Sequence, residues 1–411
     1  MVQVAVLGHG VVGSGVVELL NKNSASIAKK AGKEIKLKRI LDIREFPDSP
    51  YAGLFTKEFA DILGDGEISV VAEVMGGVHP AYEFVKACLE AGKSVVTSNK
   101  ELVAQKGAEL LAVAREKDVN FLFEASVGGG IPIIRPIHQC LAANEIDEIA
   151  GILNGTTNFI LTKMIKEGMA FDEALKMAQE LGYAEANPSA DVDGHDACRK
   201  ICILASLAFG SHVYPENVPT RGITTLTAED VQYADNAGCV IKLIGRAFKT
   251  EDGKVYAMVS PALIPKSSQL AGIDDVFNGI LVRGDATGDV VFYGKGAGKL
   301  PTASAVVGDM VDCVKARGTI RSLQWEDSAE NNVADYKTVS TTQYLCFQGE
   351  NCEALCRDAF GTIQSLARKR RPADEFAFIT SEMPEGKLEE ITGKLQAKGL
   401  TLLSAIRKLD Y

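Results

Sequence analysis

Asp196 and Lys200 stand four residues apart in the run Gly194-His195-Asp196-Ala197-Cys198-Arg199-Lys200. Gly194 breaks the chain, and Ala197, Ile201, Leu204, Ala205 and Ala208 then recur at helical spacing. That spacing puts the acid and the amine on one helix face, able to pair. A lysine held this way can give a proton to an oxygen atom or take one from it. Doing so near neutral pH requires its pKa to be brought down, by burial or by a second cation such as Lys100. Glu185 and Asp191 precede the helix in a loop, where two carboxylates suit a ligand's ammonium group. Taken alone, the same residues read more readily as a surface Asp–Lys pair beside two solvated acids.

The N-terminal third supplies elements that could position such a site. Val2, Val4, Val6 and Leu7 run into Gly8-His9-Gly10-Val11-Val12-Gly13 and then into Ser14-Gly15-Val16-Val17-Glu18-Leu19-Leu20. This is strand, glycine turn and helix, the context in which a G-x-G-x-x-G pattern binds a dinucleotide. Gly8 permits the turn, Gly10 lets backbone approach a pyrophosphate, and Gly13 lets the helix pack on the strand. The helix start at Val11 and Val12 offers free N–H groups to phosphate. A second strand, 35–41, ends at Asp42, 29 residues beyond Gly13. Asp42 would accept from a ribose 2′-hydroxyl and favour NAD, whereas Lys38, Arg39 and Arg44 could accommodate the 2′-phosphate of NADP. Both alternatives stay open.

Further strands are expected at 68–74, 94–97 and 120–124, with helices at 80–91 and 101–117. Such alternation implies parallel βαβ units and a doubly wound sheet over about 1–130. Ligands of these sheets sit outside the carboxyl ends of the strands. Gly8, Met75, Asn99-Lys100 and Glu124 fall there, which brings Lys100 toward a cofactor.

Composition narrows the function classes. The 411 residues carry a net charge of −10, with 24% charged and 46% hydrophobic residues, which excludes disorder as the main state. An acidic chain lacks the basic face that general nucleic-acid binding needs. No apolar run reaches the roughly 20 residues of a membrane span, and residues 1–10 have no signal-peptide pattern. The nine cysteines are scattered, an odd number that points to reduced thiols and a cytoplasmic protein. The Cys198/Cys202 and Cys352/Cys356 pairs lack enough neighbouring ligands for a metal and read as inert thiols.

Four segments go beyond a generic nucleotide-binding protein: Ser98-Asn99-Lys100-Glu101-Leu102-Val103-Ala104; Glu124-Ala125-Ser126-Val127-Gly128-Gly129-Gly130-Ile131-Pro132-Ile133-Ile134; Gly151-Ile152-Leu153-Asn154-Gly155-Thr156-Thr157-Asn158-Phe159-Ile160-Leu161; and Glu185 through Lys200. Together they resemble the homoserine dehydrogenase family, from residue 2 to about 320. The resemblance implies reversible, NAD- or NADP-dependent interconversion of L-homoserine and L-aspartate 4-semialdehyde, in threonine, methionine and isoleucine biosynthesis. It gives Lys200 the catalytic lysine position with Asp196 as its partner, and Lys100 a place by nicotinamide and substrate. Glu185 and Asp191 take substrate-binding positions, and the loop Asn154-Gly155-Thr156-Thr157, with Gly155 and Thr156 at its centre, lines the substrate and nicotinamide pocket. Read by itself, the Asn154–Thr157 stretch is a strand-to-helix turn capped by Thr157 or Asn158. Glu124, Val127, Gly129 and Ile131 resemble the family's monovalent-cation loop, a carboxylate with three main-chain carbonyls for Na+. The Tyr293–Thr302 stretch, with Gly296 and Gly298, would return to the nicotinamide.

The implied organisation is a nucleotide-binding unit (1–130 plus about 296–320) and a mixed-sheet substrate and dimerisation unit (131–295) in a homodimer or homotetramer. With nothing ahead of Met1, no fused aspartokinase is expected. A polar linker is expected at 325–337, containing Glu326, Asp327, Ser328, Glu330, Asn331, Asn332 and Asp335. After it, residues 338–411 read as strand, helix, two strands, helix, strand, a ferredoxin-like order that looks like a reduced ACT domain. Gly349-Glu350-Asn351-Cys352 stands where such domains carry Asp-x-Pro-Gly, so weak or absent threonine control is expected. The last strand, Thr401–Lys408, would lend its edge to assembly, and Arg368-Lys369-Arg370-Arg371 reads as a solvated hairpin turn.

Overall fold

The structure is a computed structural model that describes the chain except residues 317, 319, 321, 322, 329 and 330. Glu330 of the expected linker, and residues 317 and 319 of the expected return segment, therefore lie outside the described residues.

Among the described residues the strands form a six-stranded and a ten-stranded sheet. The first holds β1 (Val2–Leu7), β2 (Ile35–Leu41), β3 (Phe55–Thr56), β4 (Ile68–Glu73), β5 (Ser94–Thr97) and β6 (Phe121–Leu122). They lie in the order β3-β2-β1-β4-β5-β6, every pair parallel. The connections carry α1 (Val11–Lys22), α2 (Ser24–Ala31), α3 (Ala60–Leu63), α4 (Ala81–Glu90) and α5 (Lys100–Glu116). Val4, Ala5, Val6 and Leu7 are wholly buried, as strands covered on both faces by helices must be. This is the doubly wound α/β arrangement expected of the first 130 residues.

The strand expected at 120–124 is shorter. Glu124 leaves the ladder for a turn because its N–H donates to Asp309 and its carboxylate turns onto the amides of residues 133–135.

The second sheet is mixed. It begins with β7 (Ile146–Ile152), β8 (Cys239–Lys249), β9 (Val255–Pro265), β10 (Phe277–Gly284) and β11 (Gly288–Lys295). One face is covered by α6 (Gly155–Glu167), α9 (His195–Phe209) and α10 (Ala228–Asn236). Two short helices, α7 (Phe171–Glu180) and α8 (Ser189–Val192), lie between α6 and α9. α11 (Lys299–Lys315) runs back onto α1.

The tail comprises β12 (Ser340–Gln348), α12 (Cys352–Phe360), β13 (Ile363–Leu366), β14 (Glu375–Thr380), the two-residue β15 (Met383–Pro384), α13 (Glu385–Ala397) and β16 (Thr401–Lys408). Its main strands lie in the order β16-β12-β14-β13, and a second apolar cluster fills the space beneath them around Phe347, Phe376 and Phe378.

Three expectations for this end change. β16 is not a free edge: Arg407 and Lys408 pair with Ala262 and Leu263 of β9, so the tail continues the same ten-stranded sheet. The stretch read as a linker is docked. Trp325, Val333 and Ala334 are buried among its polar residues, and the Trp325 indole donates to His212 at 2.8 Å. Arg368 is not solvated, because it forks onto the buried Glu375 at 2.8 Å through both Nε and Nη2.

Candidate active site

α9 starts directly after Gly194, and its first turns carry Asp196 and Lys200, 4% and 7% exposed. Burial of both rules out the surface-pair reading. Lys200 Nζ donates to Asp196 Oδ2 at 2.8 Å and to the Leu153 carbonyl, at the end of the β7 run, at 2.7 Å. Lys100, the first residue of α5, reaches Asp196 from the other sheet, with Nζ 2.6 Å from Oδ1. One carboxylate thus lies between two ammonium groups brought from different sheets.

The electrostatics follow from this geometry. Burial pushes the Lys200 ammonium pKa below the ordinary lysine value; Asp196 opposes the shift and Lys100 adds to it. The carboxylate of Asp196 moves the Lys100 pKa up despite burial. Burial would raise Asp196, but Lys200 and Lys100 hold it well below the carboxylate range. Asp191 is raised by burial, partly offset by a hydrogen bond from Asn154. Two neighbouring amines therefore have opposite tendencies, one toward losing its proton and one toward keeping it.

Asn154, expected only as part of the pocket-lining loop, also joins the site's acids. It caps α6, accepting from the Thr157 amide at 2.8 Å, so the cap is Asn154 rather than Thr157 or Asn158. Its Nδ2 donates to Asp191 Oδ1 at 2.7 Å and to Asp196 Oδ2 at 2.8 Å. An Asn at a strand-to-helix junction was the available signal, but its reach to residues about forty positions away was not. Glu73, wholly buried at the end of β4, was missed too. It accepts from the Met75 amide and from the Thr97 hydroxyl. Thr97 accepts in turn from the amide of Asn99, which caps α5 ahead of Lys100.

Asn154 and the Lys200–Asp196–Lys100 group face a cleft of about 710 Å³ between the two sheets. Its walls include Lys100, Glu185, Asp191, Asp196 and Lys200, with Gly155 and Thr156 of the α6 start. Val11, Val12, Val127, Gly129, Gly296 and Gly298 also line it. Glu185 is exposed at the rim, and the Thr156 hydroxyl donates to the Tyr183 carbonyl at 2.7 Å.

The glycine turn lies beside this cleft. A Cβ on Gly13 would stand 2.0 Å from the Gly8 carbonyl oxygen, so α1 can approach β1 only with glycine there. A Cβ on Gly10 would meet nothing within 4 Å, and no side chain caps the α1 N-terminus. Open space against uncapped amides fits a pyrophosphate. At the end of β2, outside the cleft lining, Asp42 accepts from the His9 amide at 2.7 Å and pairs with Arg44 at 2.8 Å. The Arg44 hydrogen bond holds the Asp42 carboxyl far below its usual range.

Glu124 and Ile131 also lie outside the lining. Glu124 is not a free carboxylate: its two oxygens accept three backbone amides, from Ile133, Ile134 and Arg135, at 2.6–2.9 Å. Among the described residues no group of three or more His, Cys, Asp or Glu side chains gathers as a metal centre.

Comparisons with known proteins agree with this arrangement. Residues 8–124 match the family model described as homoserine dehydrogenase, NAD binding domain, and residues 132–311 match that described as homoserine dehydrogenase. The chain is 43% identical to a homoserine dehydrogenase of Synechocystis, over 89% of this chain and 85% of the relative. It is 46% identical to one of Pseudomonas aeruginosa, over 77% and 73%. A crystal structure of a homoserine dehydrogenase from Thiobacillus denitrificans superposes with a TM-score of 0.91 at 37% identity, covering 100% of this chain and 98% of the other. A doubly wound nucleotide-binding sheet facing a mixed sheet across a lysine-lined cleft defines an oxidoreductase with an NAD(P)-binding domain. The chain belongs to the homoserine dehydrogenase family.

Proposed function

We propose that the chain interconverts L-homoserine and L-aspartate 4-semialdehyde with NAD or NADP. The observation that carries this reading is the buried Asp196–Lys200 pair, met by the partly exposed Lys100, in a cleft that Val11 and Val12 of the α1 start also line. A bound nicotinamide supplies the hydride acceptor or donor. In oxidation, Lys200 takes the proton of the substrate hydroxyl; in reduction it returns that proton to the aldehyde oxygen. Burial lowers its pKa, the direction that task needs. Asp196 orients the Lys200 ammonium, and Lys100 stays charged beside it. Glu185 and Asp191 bind the substrate ammonium, while Gly155 and Thr156 shape the wall behind it.

For the cofactor, Gly8, Gly10, Val11, Val12 and Gly13 hold the pyrophosphate, and Gly296 and Gly298 border the nicotinamide. Asp42 and Arg44 face the adenosine ribose together. Their pairing supports use of both cofactors, since Arg44 screens the carboxylate that would otherwise repel a 2′-phosphate. A Na+ ion would take the main-chain carbonyls of Val127, Gly129 and Ile131. Glu124 would contribute only the lone pair its three amide bonds leave, which makes the ion structural.

The work divides between 1–130 with about 296–320 for the nucleotide and 131–295 for substrate and subunit contact in a homodimer or homotetramer, with 338–411 as an ACT-like tail that extends the second sheet. The nine free thiols support a cytoplasmic setting; no helix among the described residues is long and apolar enough to cross a membrane. NAD(P)H formation with L-homoserine, set against L-aspartate and L-lactate, tests the reading. Turnover confined to L-homoserine is the expected result, and turnover of either other substrate at a comparable rate would defeat it.

A further inference from the structure

Lys100 and Lys200 both hold Asp196, but from different bodies. Lys100 opens α5 behind the first sheet, and Lys200 is on α9, packed on β8 and β9 of the second. Whatever fixes α5 against α9 therefore sets the distance between Lys100 and Asp196. A second ion pair joins the same two helices. Glu101, next to Lys100, and Arg199, next to Lys200, face each other with Oε1 and Nη2 3.2 Å apart. Their side chains are 34% and 26% exposed, and neither lines the cleft. One bridge between two helices acts as a pivot, whereas two neighbouring bridges also fix rotation.

We infer that Glu101 and Arg199 form a positioning pair that indexes α5 on α9 and so keeps the Lys100 ammonium on Asp196. The inference rests on Lys200 being the proton carrier. The charged groups facing Lys200 are Asp196 on its own helix, Asp191 from α8 and Lys100 from α5. Of these, Lys100 alone disfavours a charged Lys200. If α5 turns away, Asp196 serves Lys200 alone, and Lys200 holds its proton more tightly. Oxidation needs Lys200 proton-free, so its acid limb must move to higher pH.

The test is the pH profile of kcat for L-homoserine oxidation in full-length Glu101→Ala, Arg199→Ala and the double variant. Each single change should lower kcat at pH 7 by about 10-fold through misplacement and raise the acid limb by about one pH unit. The double variant should be no worse than either single, because both remove one contact. Arg199→Lys, which can still reach Glu101, should recover most of the rate. If an alanine variant does not fold, Glu101→Gln and Arg199→Met, which remove the charge at closer to constant volume, carry the same measurement. A lower kcat with an unmoved limb, unchanged kcat throughout, or additive losses in the double variant would overturn the inference. Near-normal turnover of Lys200→Ala would instead overturn the reading beneath it, so the two failures are distinguishable.

Discussion

In the six-stranded sheet, the residues turned toward the cleft come from strand ends. Val11, Val12, Ser98 and Lys100 line it past the ends of β1 and β5, and the segments beside them are tied to neighbouring strand ends through Glu73, Thr97 and Asn99. In the ten-stranded sheet, the cleft residues are gathered across long separations. Asn154 at the start of α6 bonds to Asp191 and Asp196, and the sheet closes through strands as distant as β9 and β16. The first region is built from local rules repeated, so a change should act near where it is made. The second is built from long-range contacts, so a change should spread. Asp196 is where the two meet, holding one lysine from each.

The largest effect is expected at that meeting point. Lys200→Ala removes the proposed carrier of the hydroxyl proton and leaves the buried Asp196 facing Lys100 alone. It should lower kcat by about 10²-fold or more, with NAD(P)H affinity, read by fluorescence titration, nearly unchanged. Near-normal turnover would take the second region's part in proton transfer away.

Next comes the continuity of the second sheet. Ending the chain after Asn332 removes β16 from β9 and strips cover from α10. There the wholly buried Tyr233 donates to Glu375, and Asp230 accepts from Tyr344 at 2.9 Å. Losing these two hydrogen bonds, each worth about 1 kcal/mol net, costs on the order of 2 kcal/mol. The truncated chain should therefore lose about 3 °C or more in Tm by calorimetry. A truncated protein of unchanged Tm, differing only by a smaller mass on a sizing column, would instead make the tail an independent assembly unit.

Glu185 should give a smaller and more confined loss. It is exposed at the cleft rim, so its substitution leaves no buried charge. Glu185→Gln should raise the KM for L-homoserine by one to two orders of magnitude, from roughly 1.5–3 kcal/mol of charge-assisted hydrogen bonding, with kcat reduced less. An unchanged KM would separate Glu185 from the substrate.

This contrast also accounts for what could be read from residues alone. The parallel sheet was legible because each βαβ unit declares itself by apolar runs and glycine turns, and the α5 and α9 starts followed from local spacing. β10 and β11 were not legible: Gly279, Gly284, Gly288 and Gly294 interrupt their apolar pattern, and their pairing is with each other and with β7. The docking of Trp325 on His212 was hidden by the polar residues around it. The capture of Glu124 by three amides was hidden because a carboxylate looks the same whether it binds an ion or backbone. Asn154 shows the limit most directly. Its capping role is local, but its role in holding Asp191 and Asp196 together exists only once α8 and α9 have packed beside α6.

The smallest expected effect is the one that tests locality. Asp42 takes its N–H partner from His9 in the glycine turn and its ion-pair partner from Arg44, two residues on. Asp42→Ala removes one negative charge at the proposed ribose position and frees the Arg44 guanidinium, whose side chain is already 57% exposed. It also unties the His9 amide, so the turn loses a tether and both cofactors should bind somewhat less well. The ratio is the informative quantity. Loss of repulsion and gain of a free guanidinium both favour a 2′-phosphate, while loss of an acceptor disfavours a 2′-hydroxyl. The ratio of kcat/KM for NADP over NAD should rise by about 10-fold, which is about 1.4 kcal/mol, while the KM for L-homoserine at saturating cofactor stays within about 2-fold. If the cofactor ratio does not move, Asp42 does not face the ribose. If the ratio moves but the KM for L-homoserine moves as much, the effect has crossed from β2 to the second sheet, and the first region is not as local as its strand-end construction implies.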